Sequence, residues 1–221
     1  NGYVDLRWDT YDVDFQHQLP IGSRHQVVYG AGYRFIDAFL GPSQPDNGFA
    51  FAFPPAHRRP HLVSAFVQDQ IALVEDRLSL TLGTKLEHNP YTGVEVQPTG
   101  RLLWTPTARQ SVWASVSRAV RTPTMAEDTD GLSTTLLQGT PGVGAYPRLT
   151  GNSQFQSEEL IAYELGYRAQ ATPTFSVDTA LFYNLYHDLK VTVAQPPAVA
   201  GPPGTTFLSL VNQNAMDGET Y

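Results

Sequence analysis

Two segments of the sequence combine aromatic with charged side chains, the residue types that bind a ring-bearing ligand of opposite charge. The first segment, residues 38–60, contains three phenylalanines followed by a histidine and two arginines. These residues are Phe49, Phe51, Phe53, His57, Arg58 and Arg59. Aromatic rings and guanidinium groups together can stack on an anionic ligand and neutralise its charge. The alternative interpretation is an apolar cluster within a loop, next to a solvated basic pair.

The second segment, residues 122–157, places Tyr146 and Arg148 among glycine, threonine and serine residues. Acidic residues between positions 127 and 130 are of the type that binds Ca²⁺ through carboxylate oxygens. They do not amount to a full set of ligands, so a solvated turn is the preferred interpretation and no metal site is predicted. A third segment, residues 190–204, is rich in proline, alanine and glycine, and we predict only a mobile loop there.

The sequence carries no arrangement of residues that is typical of an enzyme. Its six histidines do not form an H-E-x-x-H motif, and no G-x-S-x-G turn is present. His57 and His61 are flanked by Pro55 and Pro60, so a helical pair of histidine ligands is not expected. Cysteine is absent, which excludes disulfides and thiolate metal sites. We therefore predict no catalytic residue and no cofactor.

Charge and hydropathy narrow the class of protein further. The net charge of −7 and the pI of about 5.2 argue against a nucleic-acid binder, which needs a basic surface to neutralise phosphates. The mean hydropathy is −0.25, and no apolar run approaches the ~20 residues of a transmembrane helix. The chain is then either soluble or a membrane β-barrel, whose alternating strands look polar on average.

Apolar and polar residues alternate along most of the chain with the period of two that is typical of a half-buried strand. Residues 158–169 also begin with weak helix signals, but the period of two fits them better. Many of the predicted strands equal or exceed the ~9–11 residues that cross a bilayer at a tilt. The predicted strands are residues 3–18, 24–37, 61–74, 77–89, 94–105, 110–121, 158–171, 174–189 and 205–213, with a tenth beginning near residue 218.

The predicted connections alternate in length, so the long ones fall at one end of the sheet. Residues 38–60, 122–157 and 190–204 form the long connections, and residues 90–93 are a short exception at the same end. Short turns on one side and long loops on the other are the pattern of outer-membrane barrels. A soluble β-sandwich or β-helix with insertions is the alternative. It explains the alternation, but not the aromatic-rich apolar faces on strands of this length.

Several strand motifs resemble those of the TonB-dependent outer-membrane receptors. The most specific is S-R-A-V-R-T-P, residues 117–123, which resembles the S-R-A-x-R-x-P strand end of that family. The residues that mark this strand end as the family motif are Arg118, Arg121 and Pro123. Four further motifs appear in family order: S-A-F-V-Q-D-Q-I at 64–71, L-T-L-G-T-K-L-E at 80–87, Y-E-L-G-Y at 163–167 and F-Y-N-L-Y-H-D-L at 182–189.

The resemblance implies the fold and the domain organisation. The expected fold class is all-β, an antiparallel up-and-down transmembrane β-barrel of 22 strands around a plug, of which about 9–10 strands lie in this chain. Residues 1–221 would be part of the barrel domain, with the plug and its TonB box before Asn1 and the closing strands after Tyr221. Charged residues on the polar strand faces are expected to line a wet lumen as paired or solvated groups.

The resemblance also implies a function, which is active import of a scarce nutrient across the bacterial outer membrane. The expected ligand is a small molecule, a ferric siderophore or another iron complex, and the expected partners are TonB, acting through the plug, and outer-membrane lipid. The aromatic and basic residues of the two long segments are then candidate ligand contacts. The alternative function is a passive channel or an adhesin barrel without TonB coupling.

Overall fold

The computed structural model describes residues 5–41, 49–52, 56–128, 133–136, 145–196, 198–199 and 206–221. The long strands are β1 (Leu6–Ile21), β2 (His25–Leu40), β5 (His61–Val74), β6 (Leu78–Asn89), β7 (Gly93–Thr107), β8 (Gln110–Arg121), β11 (Glu158–Thr172), β12 (Phe175–Ala194) and β14 (Thr206–Thr220). The short elements are β3 (Phe49–Ala52), β4 (His57–Arg58), α1 (Met125–Asp128), β9 (Ser133–Leu136), β10 (Ala145–Thr150) and β13 (Ala198–Val199). No helix in these ranges is long and apolar enough to cross a membrane.

The long strands form one sheet in which each strand pairs antiparallel with the next long strand along the chain. The predicted up-and-down arrangement is therefore confirmed. Tight turns at residues 22–24, 75–77, 108–109 and 173–174 join strands at one end of the sheet. Gly22 and Asp76 hold positive φ angles of 62° and 56° in two of these turns. The long connections and the turn at residues 90–92 lie at the other end.

The cross-strand register separates two faces of the sheet, because directly paired residues lie on the same face. One row of paired residues runs Val13, Tyr33 and Val63, and we call this side the apolar face. A neighbouring row runs Asp14, Gly32, Ser64 and Glu87, and we call this side the polar face. The alternation predicted from the sequence is thus confirmed. Large exposed side chains on the apolar face include Phe15, Val67, Leu86, Val116 and Tyr163.

The prediction of a tenth strand near residue 218 is wrong. β14 continues without interruption to Thr220, so the residues between the two predicted strands belong to one strand. The irregularity lies in its partner instead, because Asp188 of β12 adopts a positive φ of 57° and the pairing shifts on either side of Leu189. This bulge in β12 accommodates the change of register, so β14 pairs with β12 both before and after the bulge.

The long connections contain strands that the sequence did not predict. β3 lies in the first connection and pairs with β9 of the second, and β9 pairs with β10. β10 pairs in parallel with the first half of β14, which joins these elements to the edge of the main sheet. We call β3, β9 and β10 together the loop sheet. Its strands link two connections that are separated in the chain by four long strands.

Most of the buried side chains in the described ranges lie at the long-loop end rather than in mid-sheet. They include Ala38, Leu40, Asn89, Glu95, Glu127, Phe155 and Asn212, whereas Ala169 is buried near the opposite end. Four of these seven side chains are polar or charged. Packing at the long-loop end is therefore organised by hydrogen bonds and ion pairs as well as by apolar contact.

Candidate functional site

The two arginines of the S-R-A-V-R-T-P motif hold the ends of the strands around β8. Pairing of β7 with β8 ends at Thr99 and Ser117, so the two strands separate above this point. Arg118 occupies the gap and donates a hydrogen bond to the Val96 carbonyl, which lacks a partner strand on that side. Its Nε donates to Glu159 at 2.7 Å, and its Nη2 lies 3.8 Å from Glu95. Arg118 thereby connects β7, β8 and β11.

Arg121 forms a second ion-pair cluster on the polar face, where the second long connection leaves β8. Its Nε donates to Glu158 at 2.6 Å, and its Nη1 donates to Glu127 of α1 at 3.0 Å. Lys190 of β12 donates to the same Glu127 carboxylate at 2.8 Å. Its backbone amide also donates to Glu158 at 2.8 Å. We call Arg121, Glu127, Glu158 and Lys190 the rim cluster.

Pro123, which is buried, and Thr124, which is exposed, lead from Arg121 into the short helix that presents Glu127. Proline fixes φ and ends the strand, so the chain turns immediately after β8. The Thr124 amide and hydroxyl both donate to Glu127, at 3.0 and 3.1 Å, and close the turn. The Glu127 backbone carbonyl accepts a hydrogen bond from the Asn152 amide at 2.8 Å. The start and the end of the second long connection therefore meet at one residue.

The carboxylate of Glu127 remains charged because of its partners. Burial would raise its pKa, but hydrogen bonds from Arg121, Lys190 and the Thr124 amide outweigh burial and lower the pKa to about 2. Both carboxylate oxygens accept hydrogen bonds, Oε2 from Arg121 and Oε1 from Lys190, so binding of Ca²⁺ by this residue is not supported. In the described part of the chain, no group of three His, Cys, Asp or Glu side chains is placed to hold a metal ion.

We expect the attachment of this loop to weaken only in strong acid. Because the pKa of Glu127 is lowered from 4.5 to about 2, its contribution is complete above pH 4.5 and declines as the pH falls through that interval. Limited pepsin digestion of the full-length protein checks this. Cleavage in residues 122–157 should be slow at pH 4 and fast near pH 2. Fast cleavage already at pH 4 would contradict the assignment.

Amide side chains attach the end of the same connection to β14. Asn214 donates to the Gln156 carbonyl at 3.0 Å and accepts from the Gln156 amide at 2.8 Å. Asn152 donates to the Asn212 carbonyl at 3.0 Å. Phe155 lies between these contacts and is only 1% exposed. The only sign of these contacts in the sequence is the pair of asparagines, Asn212 and Asn214, at alternate positions of β14.

The short turn between β6 and β7 contacts this region through Glu95. Asn89 closes the turn by accepting hydrogen bonds from the Tyr91 and Thr92 amides, both at 2.9 Å. Glu95 accepts from the Thr92 hydroxyl at 2.8 Å and from the Ser157 hydroxyl at 2.6 Å. The turn at residues 90–92 is the one short connection at this end of the described sheet, and it therefore supports the final residues of the connection 122–157.

The structure separates the three basic residues predicted in the first long connection. His57 lies against Phe39 with ring centroids 4.9 Å apart, and Arg59 donates to Asp37 at 3.2 Å, on the side of the apolar face. Arg58 is paired in register with Ala38, on the side of the polar face.

Burial raises the pKa of Tyr91 to about 12. The negative charge of Asp128 also raises this pKa, whereas the positive charge of Arg58 lowers it.

The loop sheet brings together four of the predicted ligand contacts, but on two faces. Phe51 is in register with Thr134 and Leu149, and Phe49 shares that face two residues away. Arg148 is in register with Ala50 through the intervening strand, and Tyr146 shares this second face. Within the described residues, the Arg148 Nε is a buried nitrogen with no hydrogen-bond partner. Phe53 and Asp130 lie outside the described residues.

Charged groups on the polar face of the strands are largely paired. Arg34 donates to Asp12 at 2.6 Å, Lys85 to Glu87 at 2.6 Å, and Arg168 Nε to Asp178 at 2.8 Å. Glu164 accepts from the Ser115 hydroxyl at 3.3 Å, and the Arg101 guanidinium lies 5.8 Å from the centroid of the Trp113 ring. The face predicted to line a wet lumen thus carries paired charges rather than a site of one sign.

These features define a membrane-barrel sheet with structured loops at one end, and comparison with known proteins gives its family. Residues 1–221 match the family described as TonB dependent receptor-like, beta-barrel. The chain belongs to this family, and its sheet is part of the β-barrel. A sequence search of curated proteins returned no match.

Solved structures similar to this chain include siderophore receptors. The siderophore receptor PirA from Pseudomonas aeruginosa matches with a TM-score of 0.74 and 20% identity, over 97% of this chain and 38% of that one. A mutant of the ferric enterobactin receptor PfeA from the same organism matches with a TM-score of 0.77 and 17% identity, over 97% and 32%. PirA from Acinetobacter baumannii matches with a TM-score of 0.72 and 16% identity, over 97% and 33%. The chain spans about a third of their length, and at these identities the similarity establishes the fold.

Proposed function

We propose that this chain is part of the barrel wall of an outer-membrane receptor that binds and imports a ferric siderophore or another iron complex. The observation that carries the proposal is the family match over residues 1–221. The loop sheet adds to it, because β3, β9 and β10 bring two long connections into one surface above the barrel. A receptor needs such a surface, whereas an open pore does not.

The two faces of the sheet support a position in the outer membrane. Large apolar side chains such as Phe15, Leu82 and Leu181 are exposed in rows along the apolar face, and Leu181 is 64% exposed. Soluble proteins rarely expose contiguous apolar surface of this kind. In a transmembrane barrel the apolar face contacts lipid and the polar face surrounds a wet interior. Outer-membrane lipid is therefore the proposed partner of the apolar face.

The complete receptor is proposed to contain a plug with a TonB box and the further strands that close a barrel of about 22 strands. Energy from TonB would reach the ligand through that plug, so TonB is a proposed partner of the whole protein and not of these strands. The strands described here would supply wall and ligand-facing loops. No catalytic step is required for this function.

The proposed ligand contacts remain Phe49, Phe51, Phe53, His57, Arg58, Arg59, Tyr146 and Arg148. The loop sheet gives them a geometric basis in part, since Tyr146 and Arg148 share one of its faces. An aromatic and a basic residue type at alternate positions of one strand suit an anionic chelate that carries rings.

Ligand binding by the full-length receptor in detergent tests the proposal. Intrinsic tryptophan fluorescence is titrated with a panel of ferric siderophores, haem and cobalamin, and uptake of the labelled ligand is then compared in cells with and without TonB. We expect saturable quenching by one iron complex and uptake that depends on TonB. Failure to bind any ligand, together with open-channel conductance in planar bilayers, would replace this proposal with the passive channel.

A further inference from the structure

The second long connection, residues 122–157, joins two strands that are neighbours in the sheet. All of β8 pairs with β11, from Arg121 opposite Glu158 to Gln110 opposite Ala169. The connection therefore leaves and re-enters the sheet at adjacent positions, and these two attachments alone would leave it free to swing. Additional contacts must set its position over the barrel.

Glu127 supplies the contact at which the most segments meet. Its carboxylate binds Arg121 at the end of β8 and Lys190 on β12, which lies two strands away. Its backbone carbonyl binds the Asn152 amide, two residues after β10 ends. One residue thus connects β8, β12, α1 and the segment that follows the loop sheet.

The rim cluster is balanced and largely desolvated at its centre. It contains two cations and two carboxylates, and the Glu127 side chain is only 8% exposed, whereas those of Arg121 and Lys190 are each 42% exposed. Removing one member of a buried ion pair leaves an uncompensated charge and is strongly destabilising. A neutral side chain at Glu127 would leave Lys190 without this partner and would remove two hydrogen bonds that Arg121 makes.

We propose that Glu127 is a positioning residue that locks the long connection onto the barrel rim through Arg121 and Lys190, and that this lock sets how long the receptor retains its ligand. The lock acts through β10, because β10 lies between Glu127 and Asn152 in the chain and pairs with β14 and β9. β10 carries Tyr146 and Arg148, so the ligand-retention part of this inference rests on the proposed function.

The test uses Glu127→Gln in the full-length receptor, with Asp178→Asn as the matched control. Both changes convert a carboxylate paired with arginine to an amide, but Asp178 lies on β12 near the short-turn end and is 50% exposed. Hydrogen exchange is measured by mass spectrometry in peptides that cover α1, β10 and the barrel strands. We expect exchange in α1 and β10 to increase at least about tenfold in Glu127→Gln, with the barrel strands and the control unchanged.

Ligand kinetics provide a readout that a general folding defect would not change. The ferric complex that quenches the wild type is used as the probe. Its dissociation rate from folded receptor should rise about tenfold in Glu127→Gln, with a smaller change in the association rate. Lys190→Met should reproduce the effect. Glu127→Asp keeps the charge and should retain most of the protection.

The possible results separate this inference from the proposed function. If α1 and β10 exchange in Glu127→Gln as in the wild type, the lock is wrong. If exchange rises but the dissociation rate does not, the role in ligand retention is wrong. If the wild type binds no member of the panel, the proposed function fails, while increased exchange would still support the lock itself.

Discussion

Gly166→Ala is expected to reduce the yield of folded receptor severely, because an aromatic ring occupies the space that a side chain would need. A Cβ atom at Gly166 would lie 2.0 Å from Cζ2 and 2.1 Å from Cε2 of Trp113. These residues are directly paired on β11 and β8, so the indole lies across the glycine. The substitution must displace the ring, which typically costs about 1–3 kcal/mol or more in a packed region. It would also disturb the contact of the ring with Arg101.

Gly100→Ala is the matched control, because it adds a side chain at another mid-strand glycine where space is available. The nearest atom to a Cβ at Gly100 is Cδ2 of Leu82 at 3.6 Å, which is ordinary van der Waals contact. Folded receptor is measured by its resistance to unfolding in detergent gels and by its melting temperature. We expect Gly100→Ala to resemble the wild type. Equal behaviour of Gly100→Ala and Gly166→Ala would contradict the steric explanation.

A second substitution distinguishes steric overlap from the general weakness of a strand. Trp113→Ala removes the ring and should make Gly166→Ala much less harmful than it is in the wild-type background. Substitutions in direct contact are expected to be non-additive in this way, and the coupling energy between them isolates the contact. Additive effects of the two changes would show that the indole does not lie on Gly166.

The glycines illustrate how far the sequence could predict this fold. Period-two alternation was sufficient for the long strands and their two faces, because it follows directly from the geometry of a pleated strand. It also placed Gly100 and Gly166 within strands. It could not distinguish them, because the atoms above each glycine come from another strand and depend on the register between the two.

The candidate site was less predictable because its contacts join distant segments. The sequence predicts a solvated turn around Glu127, whereas Glu127 binds Lys190, 63 residues away. The loop sheet requires a parallel pairing of β10 with β14, and nothing in the alternation of a six-residue strand specifies its partner. The family motif did identify Arg118 and Arg121, but not the carboxylates that bind them.

Arg118→Met is expected to destabilise the receptor by about 2–4 kcal/mol, since it removes one partner from a partly buried ion pair. The Arg118 and Glu159 side chains are each 27% exposed, and that of Glu95 is 11% exposed. Without the guanidinium, the two carboxylates lose their shared cation and the Val96 carbonyl loses its donor. Arg118→Lys should recover only part of the stability, because an ammonium group does not reproduce a planar fork with several donors.

Arg168→Met provides the comparison for an exposed ion pair of the same kind. Arg168 and Asp178 are 64% and 50% exposed, so this substitution should change stability by less than about 1 kcal/mol. The free energy of unfolding in detergent is measured from urea titrations of the full-length protein. Similar losses in Arg118→Met and Arg168→Met would show that Arg118 has no special role at the gap between β7 and β8.

The double variant Arg118→Met/Glu159→Gln tests whether the loss comes from charge or from the gap itself. If unpaired charge dominates, removing Glu159 as well should recover stability relative to Arg118→Met, because deleting both partners is less harmful than deleting one. If the unsatisfied Val96 carbonyl dominates, the second change should recover nothing. The first result would make the S-R-A-V-R-T-P arginine primarily an electrostatic crosslink between strands. The second would make it a substitute for the hydrogen bonds that β7 and β8 no longer form above Thr99 and Ser117.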